Sequence, residues 1–284
     1  MIALTAATGQ LGSLVVEQLL AKVPATQIAA IVRNPAKAAP LAARGISVRA
    51  ADYDDPAALH KALAGVEKLL LISGMEFGKR LTQHTNVIQA AKRAGVKLIV
   101  YTSLLRADTS PLNLAPEHAG TEKALSASGV PFIILRNGWY HENYTASVPS
   151  ALAHHAFVGS AGSGRIASAA RADYAAAAVA ALTGGAQVGH TYELAGDQAY
   201  TLTEFAAELS RQTGKAIPYV NLPETEYAGI LLKAGLPPPL AHGLASWDTG
   251  AAQGALFDDG RTLSRLIGRP TTPVANAIRA ALKA

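Results

Sequence analysis

Two features near the start of the chain could bind a dinucleotide. The first is the loop Thr5-Ala6-Ala7-Thr8-Gly9-Gln10-Leu11-Gly12, which lies between a short apolar strand and a helix predicted to run to about Ala21. A loop of small residues lets the backbone approach a pyrophosphate closely. The helix N-terminus behind it offers unpaired N–H groups and the positive end of the helix dipole. The pattern therefore predicts a phosphate-binding turn.

The second feature is Arg33, which follows the apolar run Ile28–Val32. Folds that hold NAD by its ribose hydroxyls carry Asp or Glu about 20 residues beyond the glycines. An arginine at this position suits the 2′-phosphate of NADP instead. Gly9 and Gly12 form only a short glycine pattern, but the strand before it, the helix after it and the basic residue after the second strand favour an NADP(H) site.

Further strand ends are predicted to present side chains to the same edge of the sheet. Small and hydroxyl residues there allow close contact with a ribose and a nicotinamide, and Phe77, Trp139 and Tyr140 could form a flat apolar wall for a substrate ring. The candidate cofactor residues at these ends are Ser73, Gly74, Met75, Tyr101, Thr102, Ser103, Asn137, Gly138, Trp139 and Tyr140.

The helix after the fifth strand lacks an expected proton donor. Hydroxyl-reducing enzymes with this fold place Tyr and Lys four residues apart there, whereas this chain has Ala119 and Lys123. Lys123 is then either a residue that positions the cofactor by hydrogen-bonding the nicotinamide ribose or a solvated helix lysine. His118 is expected to be a surface or structural residue.

The missing donor narrows the choice of substrate. Reduction of an unactivated ketone requires an acid near the developing alkoxide. A quinone accepts hydride to give a phenolate of low basicity, which water can protonate. The sequence therefore favours a quinone-type acceptor. A cationic conjugated dye, or a protein that senses NADP(H) without turnover, stays open.

Composition excludes several classes of protein. Half of the 284 residues are apolar, which is enough for a large core, and no stretch reaches the roughly 20 apolar residues of a membrane span. There is no cysteine, so disulfides and thiolate chemistry are excluded, and no metal site is predicted. With no charged and apolar leader, a cytoplasmic protein is expected. The net charge of +5 is scattered, which argues against nucleic-acid and membrane partners.

The order of elements predicts the fold class. Nearly continuous apolar runs alternate with helical segments in the first half, as in an α/β fold with a doubly wound parallel Rossmann-type sheet. We expect an NADP-binding domain over 1–150 with a return helix at 171–182, and a smaller α/β substrate-side lobe over 186–284. The predicted strands are 2–4, 28–32, 46–49, 68–72, 98–101, 132–135, 191–195 and 217–222, and the predicted helices include 35–43, 56–64, 83–94, 117–128 and 203–212.

Stretches along the whole chain carry a family resemblance. They are Met1–Gly12, Ile31–Lys37, Val66–Ser73, Tyr101–Leu104, Leu135–Tyr140, Arg171–Ala175, Tyr192–Asp197 and Leu263–Gly268. With them the chain resembles the bacterial NADPH-dependent quinone oxidoreductases of type 2. It is also similar to the triphenylmethane dye reductases and to the wider NmrA-like group of atypical short-chain dehydrogenases.

The resemblance implies roles for particular residues. Ala6–Leu11 would wrap the pyrophosphate, Arg33 would grip the 2′-phosphate, and Ser73 with its neighbours would flank the adenosine ribose. The nicotinamide would be bordered by Asn137, Gly138, Trp139, Tyr140, His141 and Glu142. Asp173 would cap a helix without taking part in chemistry, and a homodimer is compatible with the sequence.

One position departs from the family. Relatives usually carry glycine where this chain has Ala6. The added methyl group would push the pyrophosphate away, or would be harmless if φ is negative there.

Overall fold

The chain is described by a computed structural model that covers residues 1–283. These residues form two compact units. Unit 1 comprises residues 1–108, 114–137 and 172–192, and unit 2 comprises residues 109–113, 138–171 and the chain from residue 193 onward. The assignment of residues 186–284 to a substrate stays a prediction.

The elements alternate as the sequence predicts. The strands are β1 Ile2–Thr5, β2 Ile28–Val32, β3 Ser47–Ala50, β4 Lys68–Leu71, β5 Leu98–Leu104, β6 Phe132–Asn137, β7 Phe157–Gly159, β8 Thr191–Leu194 and β9 Tyr219–Asn221. The helices are α1 Gln10–Leu20, α2 Ala39–Ala43, α3 Pro56–Ala62, α4 Arg80–Arg93, α5 Ala115–Ser128, α6 His141–Thr145, α7 Val148–His154, α8 Arg171–Thr183, α9 Leu202–Thr213, α10 Glu224–Lys233, α11 Pro238–Ala252, α12 Thr262–Ile267 and α13 Val274–Ala281.

The central sheet confirms the predicted Rossmann-type fold. Seven strands lie in the order β3-β2-β1-β4-β5-β6-β8, and β1 to β6 pair in parallel. β2 and β5 are buried along their whole length, because helices cover both faces of the sheet. The strand order reverses between β1 and β4. Such a reversal leaves a crevice at the carboxyl ends of the strands, where ligands bind in sheets of this type.

Three strands are longer than predicted, β1 by one residue and β5 and β6 by more. β5 runs to Leu104 and β6 to Asn137, so Thr102 and Ser103 lie within a strand and not after one. The added residues of β5 and β6 are buried, and all of them except Leu104 are polar, so an apolar pattern does not reveal them. The predicted helix 35–43 is also divided into a 3₁₀ turn and α2, because Pro40 near the start of α2 has no N–H to continue a helix from the preceding turn.

Helix boundaries in the second half follow their capping signals. The side chain of Thr201 accepts the N–H of Glu204, and the Glu204 carboxylate accepts the N–H of Thr201, which forms the predicted capping box of α9. α11 begins at Pro238, directly after Pro237, since proline is tolerated in the first turn of a helix.

Unit 2 contains a buried carboxyl group on α11. The Asp248 side chain accepts the Tyr144 hydroxyl at 3.2 Å and the Ser160 N–H at 3.0 Å. Burial raises the pKa of this carboxyl from 3.8 to about 6, although both hydrogen bonds lower it. Burial therefore destabilises the ionised form of Asp248 relative to its protonated form.

The raised pKa of Asp248 predicts that the stability of the protein depends on pH. The unfolded chain releases the Asp248 proton near pH 3.8 and the folded chain near pH 6, so the stabilisation from the protonated form is complete below the first value and is lost as the pH rises through the second. The loss amounts to about 2 to 3 kcal/mol. In Asp248→Asn we expect it to be absent, so urea unfolding should show the variant gaining stability relative to the parent between pH 4 and 7. A parallel pH dependence of the two proteins would contradict this.

Candidate functional site

The backbone of the loop after β1 packs closely against the start of α1. Ala6 has a φ of 49°, in the left-handed region, and its carbonyl oxygen accepts the N–H of Gly9 at 2.9 Å. A Cβ at Gly12 would overlap that oxygen and the backbone of Ala7. Gly12 therefore allows α1 to start directly on the loop. The alternative that Ala6 has a negative φ is wrong.

The N-terminus of α1 is open to an anion. Its N-cap residue, Gly9, supplies no side-chain hydrogen bond, and the first turn contains no acidic residue. Thr8, Gly9 and Gln10 are exposed, whereas the side chains of Ala7 and Leu11 belong to the core. The free N–H groups and the helix dipole thus fit a phosphate group, as the sequence predicts.

The chain after β4 is fixed beside this loop by side chains. The Thr5 hydroxyl accepts the N–H of Ile72 at 3.0 Å, and the Thr102 hydroxyl accepts the N–H of Ser73 at 2.9 Å. The N–H of Gly74 is bound by His84, as described below. We call residues Ile72–Gly74 the floor segment. It lies at the reversal of strand order, where a ligand is expected.

His84 on α4 completes the support of the floor segment. Its Nε2 accepts the N–H of Gly74 at 3.0 Å, so its Nδ1 carries the proton that faces the Thr121 hydroxyl at 3.0 Å. Burial, and then the charge of Arg80, lowers the pKa of His84 to about 3. Arg80 also donates from Nε to the carbonyl oxygen of Gly74 at 2.9 Å. Both backbone groups of Gly74 are therefore held by buried side chains.

Arg33 lies after β2 with its side chain 69% exposed, as a ligand for a phosphate group requires. Its Nη1 lies 2.8 Å from the Glu76 carboxylate. On either side of Glu76, Met75 and Phe77 are exposed, and the Arg80 guanidinium lies 5.3 Å from the centre of the Phe77 ring. The structure thus brings Arg33 together with the segment that follows β4.

The predicted residues of β5 point in two directions. Tyr101 lies in the core with its hydroxyl 2.8 Å from Nδ1 of His118, and Ser103 donates to Glu122 at 2.5 Å. These side chains face α5, so they are not available to a ligand. Thr102 bonds the backbone of the floor segment, and the Tyr101 hydroxyl also reaches the Ser73 side chain. His118 is buried and structural, and burial lowers its pKa to about 3.

Lys123 does not join this group. It is exposed on α5, and with Ala119, Ser126, Phe132 and Gly189 it borders an open depression of about 460 Å³. The positions of α5 that face β5 are 118 and 122, one residue earlier than the sequence register suggests. The exposed position favours a solvated lysine.

This placement gives a prediction for Lys123→Met. We expect the KM for NADPH to stay within about twofold of the parent value, because surface substitutions typically change free energies by less than about 0.5 kcal/mol. Steady-state kinetics with Lys92→Met as a control would test this. A tenfold increase confined to Lys123→Met would instead assign the residue to cofactor positioning.

In unit 2, the segment Gly138–Tyr140 begins with a backbone contact. The N–H of Gly138 donates to the carbonyl oxygen of Leu194 at 2.7 Å. Trp139 is buried and meets the Trp247 ring edge-on, with 5.7 Å between ring centres, while the Arg171 guanidinium lies 4.9 Å from the centre of the Tyr140 ring. The role of Trp139 and Tyr140 as an apolar wall for a substrate ring stays a prediction.

His141 and Glu142 have structural partners. The two ring nitrogens of His141 lie 2.7 Å from the Ser168 hydroxyl and 2.8 Å from the carbonyl oxygen of Thr272. Both carboxylate oxygens of Glu142 accept the N–H of Arg171, the first residue of α8, at 3.0 Å. The polar atoms of both side chains are therefore engaged within the protein. The role of His141 and Glu142 in nicotinamide binding stays a prediction.

Asn137 is different because part of its side chain is unsatisfied. It is buried at the end of β6, and its Oδ1 has no hydrogen-bond partner within residues 1–283. A buried polar atom without a partner costs free energy unless a ligand supplies one. This observation supports the predicted role of Asn137 in binding a cofactor.

Several residues of the site were not found from the sequence. Thr5, His84, Arg80 and Glu76 hold or pair with the predicted residues, and Trp247 contacts Trp139 from a distant part of the chain. Thr5 belongs to the predicted loop, but the bond between its hydroxyl and Ile72 was not predicted. The other four depend on contacts that no local pattern reports. In the part of the chain that the structure describes, no cluster of His, Cys, Asp or Glu could hold a metal ion.

The left-handed Ala6 makes a substitution informative. A left-handed conformation costs an alanine about 1 to 2 kcal/mol, and glycine loses about 0.5 to 1 kcal/mol in chain entropy. We therefore expect Ala6→Gly to stabilise the protein by roughly 0.5 to 1 kcal/mol. Thermal melts without cofactor would measure this, with Ala7→Gly as a control that should melt lower because Ala7 is fully buried. A lower melting temperature for Ala6→Gly would contradict the positive φ.

Comparisons with known proteins agree with this geometry. A model of the NAD(P)H-binding family matches residues 6–184. Quinone oxidoreductase 2 of Escherichia coli (strain K12) is 61% identical over 278 residues, which cover 98% of this chain and 97% of the relative.

Solved structures show the same similarity. The NADPH-dependent quinone oxidoreductase of Escherichia coli in complex with NADPH superimposes with a TM-score of 0.97 at 60% identity, covering 99% of this chain and 100% of that one. The Citrobacter sp. triphenylmethane reductase complexed with NADP(H) superimposes with a TM-score of 0.95 at 40% identity, with coverage of 99% and 100%.

Proposed function

The chain belongs to the NAD(P)H-binding family, and from this premise we propose that it is an NADPH-dependent quinone oxidoreductase. The observation that carries the proposal is the uncapped N-terminus of α1 at the reversal of strand order, in a chain whose relatives of this activity match it from end to end. When bound, NADPH supplies the hydride that reduces the quinone.

The residues around the crevice divide the cofactor between them. We propose that the backbone of Ala6–Leu11 and the start of α1 bind the pyrophosphate, and that Arg33 binds the 2′-phosphate. The floor segment would flank the adenosine ribose. Asn137 would accept an N–H group of the nicotinamide carboxamide, which would satisfy its buried oxygen.

The protonation states within unit 1 fit a quinone better than a ketone. His84 and His118 are neutral at physiological pH because their pKa values are about 3, and both are engaged in hydrogen bonds. Burial also raises the pKa of Tyr101, whose hydroxyl is occupied by His118. None of these groups is a ready acid. A quinone that accepts hydride becomes a hydroquinone anion, which takes its second hydrogen as a proton from water.

Three further proposals concern substrate, assembly and location. That Phe77, Trp139 and Tyr140 contact the quinone ring stays a prediction. A homodimer and a cytoplasmic location stay predictions. None of the helices formed by residues 1–283 combines the length and the apolarity needed to cross a membrane.

A spectrophotometric assay tests the activity. We expect loss of NADPH absorbance on addition of a simple benzoquinone, with little loss when an unactivated ketone replaces it. A triphenylmethane dye in a third sample tests the dye-reductase alternative. Tight NADPH binding without turnover of either acceptor would contradict the proposal and favour a nucleotide sensor.

A further inference from the structure

The residue assigned to the 2′-phosphate already has an anionic partner. Arg33 and Glu76 form an ion pair of 2.8 Å between Nη1 and Oε1. The second carboxylate oxygen, Oε2, accepts the side-chain N–H of Gln83 at 3.2 Å and lies 3.7 Å from Nζ of Lys79. The carboxylate therefore occupies the guanidinium that a phosphate would need.

Glu76 is presented to Arg33 by a fixed base. The floor segment before it is held by Thr102 and His84, and Arg80 holds the carbonyl oxygen of Gly74. Gln83 is itself buried and bonds both Glu76 and Asp54, each at 3.2 Å. The position of the Glu76 carboxylate is thus set by neighbouring side chains, although Met75 and Phe77 beside it are exposed.

We propose that Glu76 is a specificity-determining residue that occupies Arg33 until the 2′-phosphate of the cofactor takes its place. This inference rests on the proposed function, since it requires a 2′-phosphorylated ligand at Arg33. A carboxylate and a phosphate both match the planar guanidinium, but the phosphate carries more charge and more acceptor oxygens. The phosphate therefore displaces the Glu76 carboxylate from Arg33.

The exchange is local and its cost is small. An exposed ion pair contributes little, so Arg33 can leave the Glu76 carboxylate without disturbing the fold. Lys79 and Gln83 remain as partners for the released carboxylate. NADH has only a hydroxyl at this position and does not displace the pair. Glu76 thus lowers the affinity for NADPH but not for NADH, and so sets the ratio between the two.

Calorimetric titration of the whole protein with NADPH, NADH and adenosine 2′,5′-bisphosphate tests this. We expect Glu76→Gln to lower the Kd of both 2′-phosphorylated ligands by about three- to tenfold, because it removes the competing ion pair and the repulsion between two anions. The Kd for NADH should not change, and the gain should shrink at high salt. A matched control is Glu67→Gln, which removes an exposed, ion-paired carboxylate just before β4.

The Arg33→Ala variant tests whether Glu76 affects cofactor binding through Arg33. In Arg33→Ala, the further change Glu76→Gln should improve the binding of adenosine 2′,5′-bisphosphate less than it does in the parent. An equal improvement for NADH, an unchanged Kd for both phosphorylated ligands, or weaker binding of them would each overturn the inference.

The two proposals fail separately. A protein that binds adenosine 2′,5′-bisphosphate in a Glu76-dependent manner but does not reduce benzoquinone would overturn the proposed activity and support the exchange. Reduction of benzoquinone with NADPH, together with affinities for NADPH and adenosine 2′,5′-bisphosphate that are unchanged in Glu76→Gln, would overturn the exchange alone.

Discussion

Replacing Arg33 by alanine is expected to lower the ratio of kcat/KM for NADPH to kcat/KM for NADH by about 100-fold, or about 3 kcal/mol. The guanidinium can donate two charge-assisted hydrogen bonds to a 2′-phosphate, and alanine can donate none. Most of the loss should appear as a higher KM for NADPH, with the values for NADH nearly unchanged.

Steady-state kinetics with both cofactors and one quinone would measure this. Arg44→Ala is the matched control, because Arg44 is also an exposed arginine of unit 1 that is paired with a carboxylate, that of Glu17. An unchanged ratio in Arg33→Ala would show that another residue recognises the 2′-phosphate.

Removal of the Glu122 carboxylate is expected to give the largest loss of stability, about 3 to 5 kcal/mol for Glu122→Ala. Its two oxygens accept Nε and Nη2 of Arg136 at 3.0 and 2.7 Å, and one of them also accepts the Ser103 hydroxyl. The Arg136 side chain is only 11% exposed. The variant would leave a buried guanidinium without its bidentate partner.

Urea unfolding with Glu67→Ala as an exposed control would measure this loss. The double variant Glu122→Leu with Arg136→Met should recover much of the stability, since it removes the buried charge together with its partner. A loss below 1 kcal/mol for Glu122→Ala would contradict this, and would mean that water or the Asp108 carboxylate, 2.9 Å from Nη1 of Arg136, replaces that of Glu122.

The fold could be predicted from the sequence because its signals are local. Apolar runs between helices indicate a parallel sheet buried on both faces, and the small residues from Ala6 to Gly12, at the turn into α1, predict a phosphate site. The ends of the strands were harder to predict from the sequence. Thr102, Ser103, Arg136 and Asn137 are polar residues inside strands, and the first three bond to residues at least 14 positions away in sequence.

The details of the site depend on such distant contacts. The register of α5 differs by one residue from that suggested by comparison with short-chain dehydrogenases, because His118 and Glu122 bond to Tyr101 and Ser103 and turn Lys123 outward. The conformation of Ala6 could not be derived either, since alanine seldom adopts a positive φ and only the crowded turn against Gly12 requires it.

The floor segment has a consequence for how this protein can change. Its three N–H groups are held by Thr5, Thr102 and His84, whose side chains can be replaced one at a time, rather than by a neighbouring strand. A substitution at any of them would reshape a few atoms of the cofactor crevice and leave the pairing of the sheet intact. Evolution, or a directed library built on these three positions, can therefore vary the contour of the crevice in small steps while the scaffold is inherited unchanged.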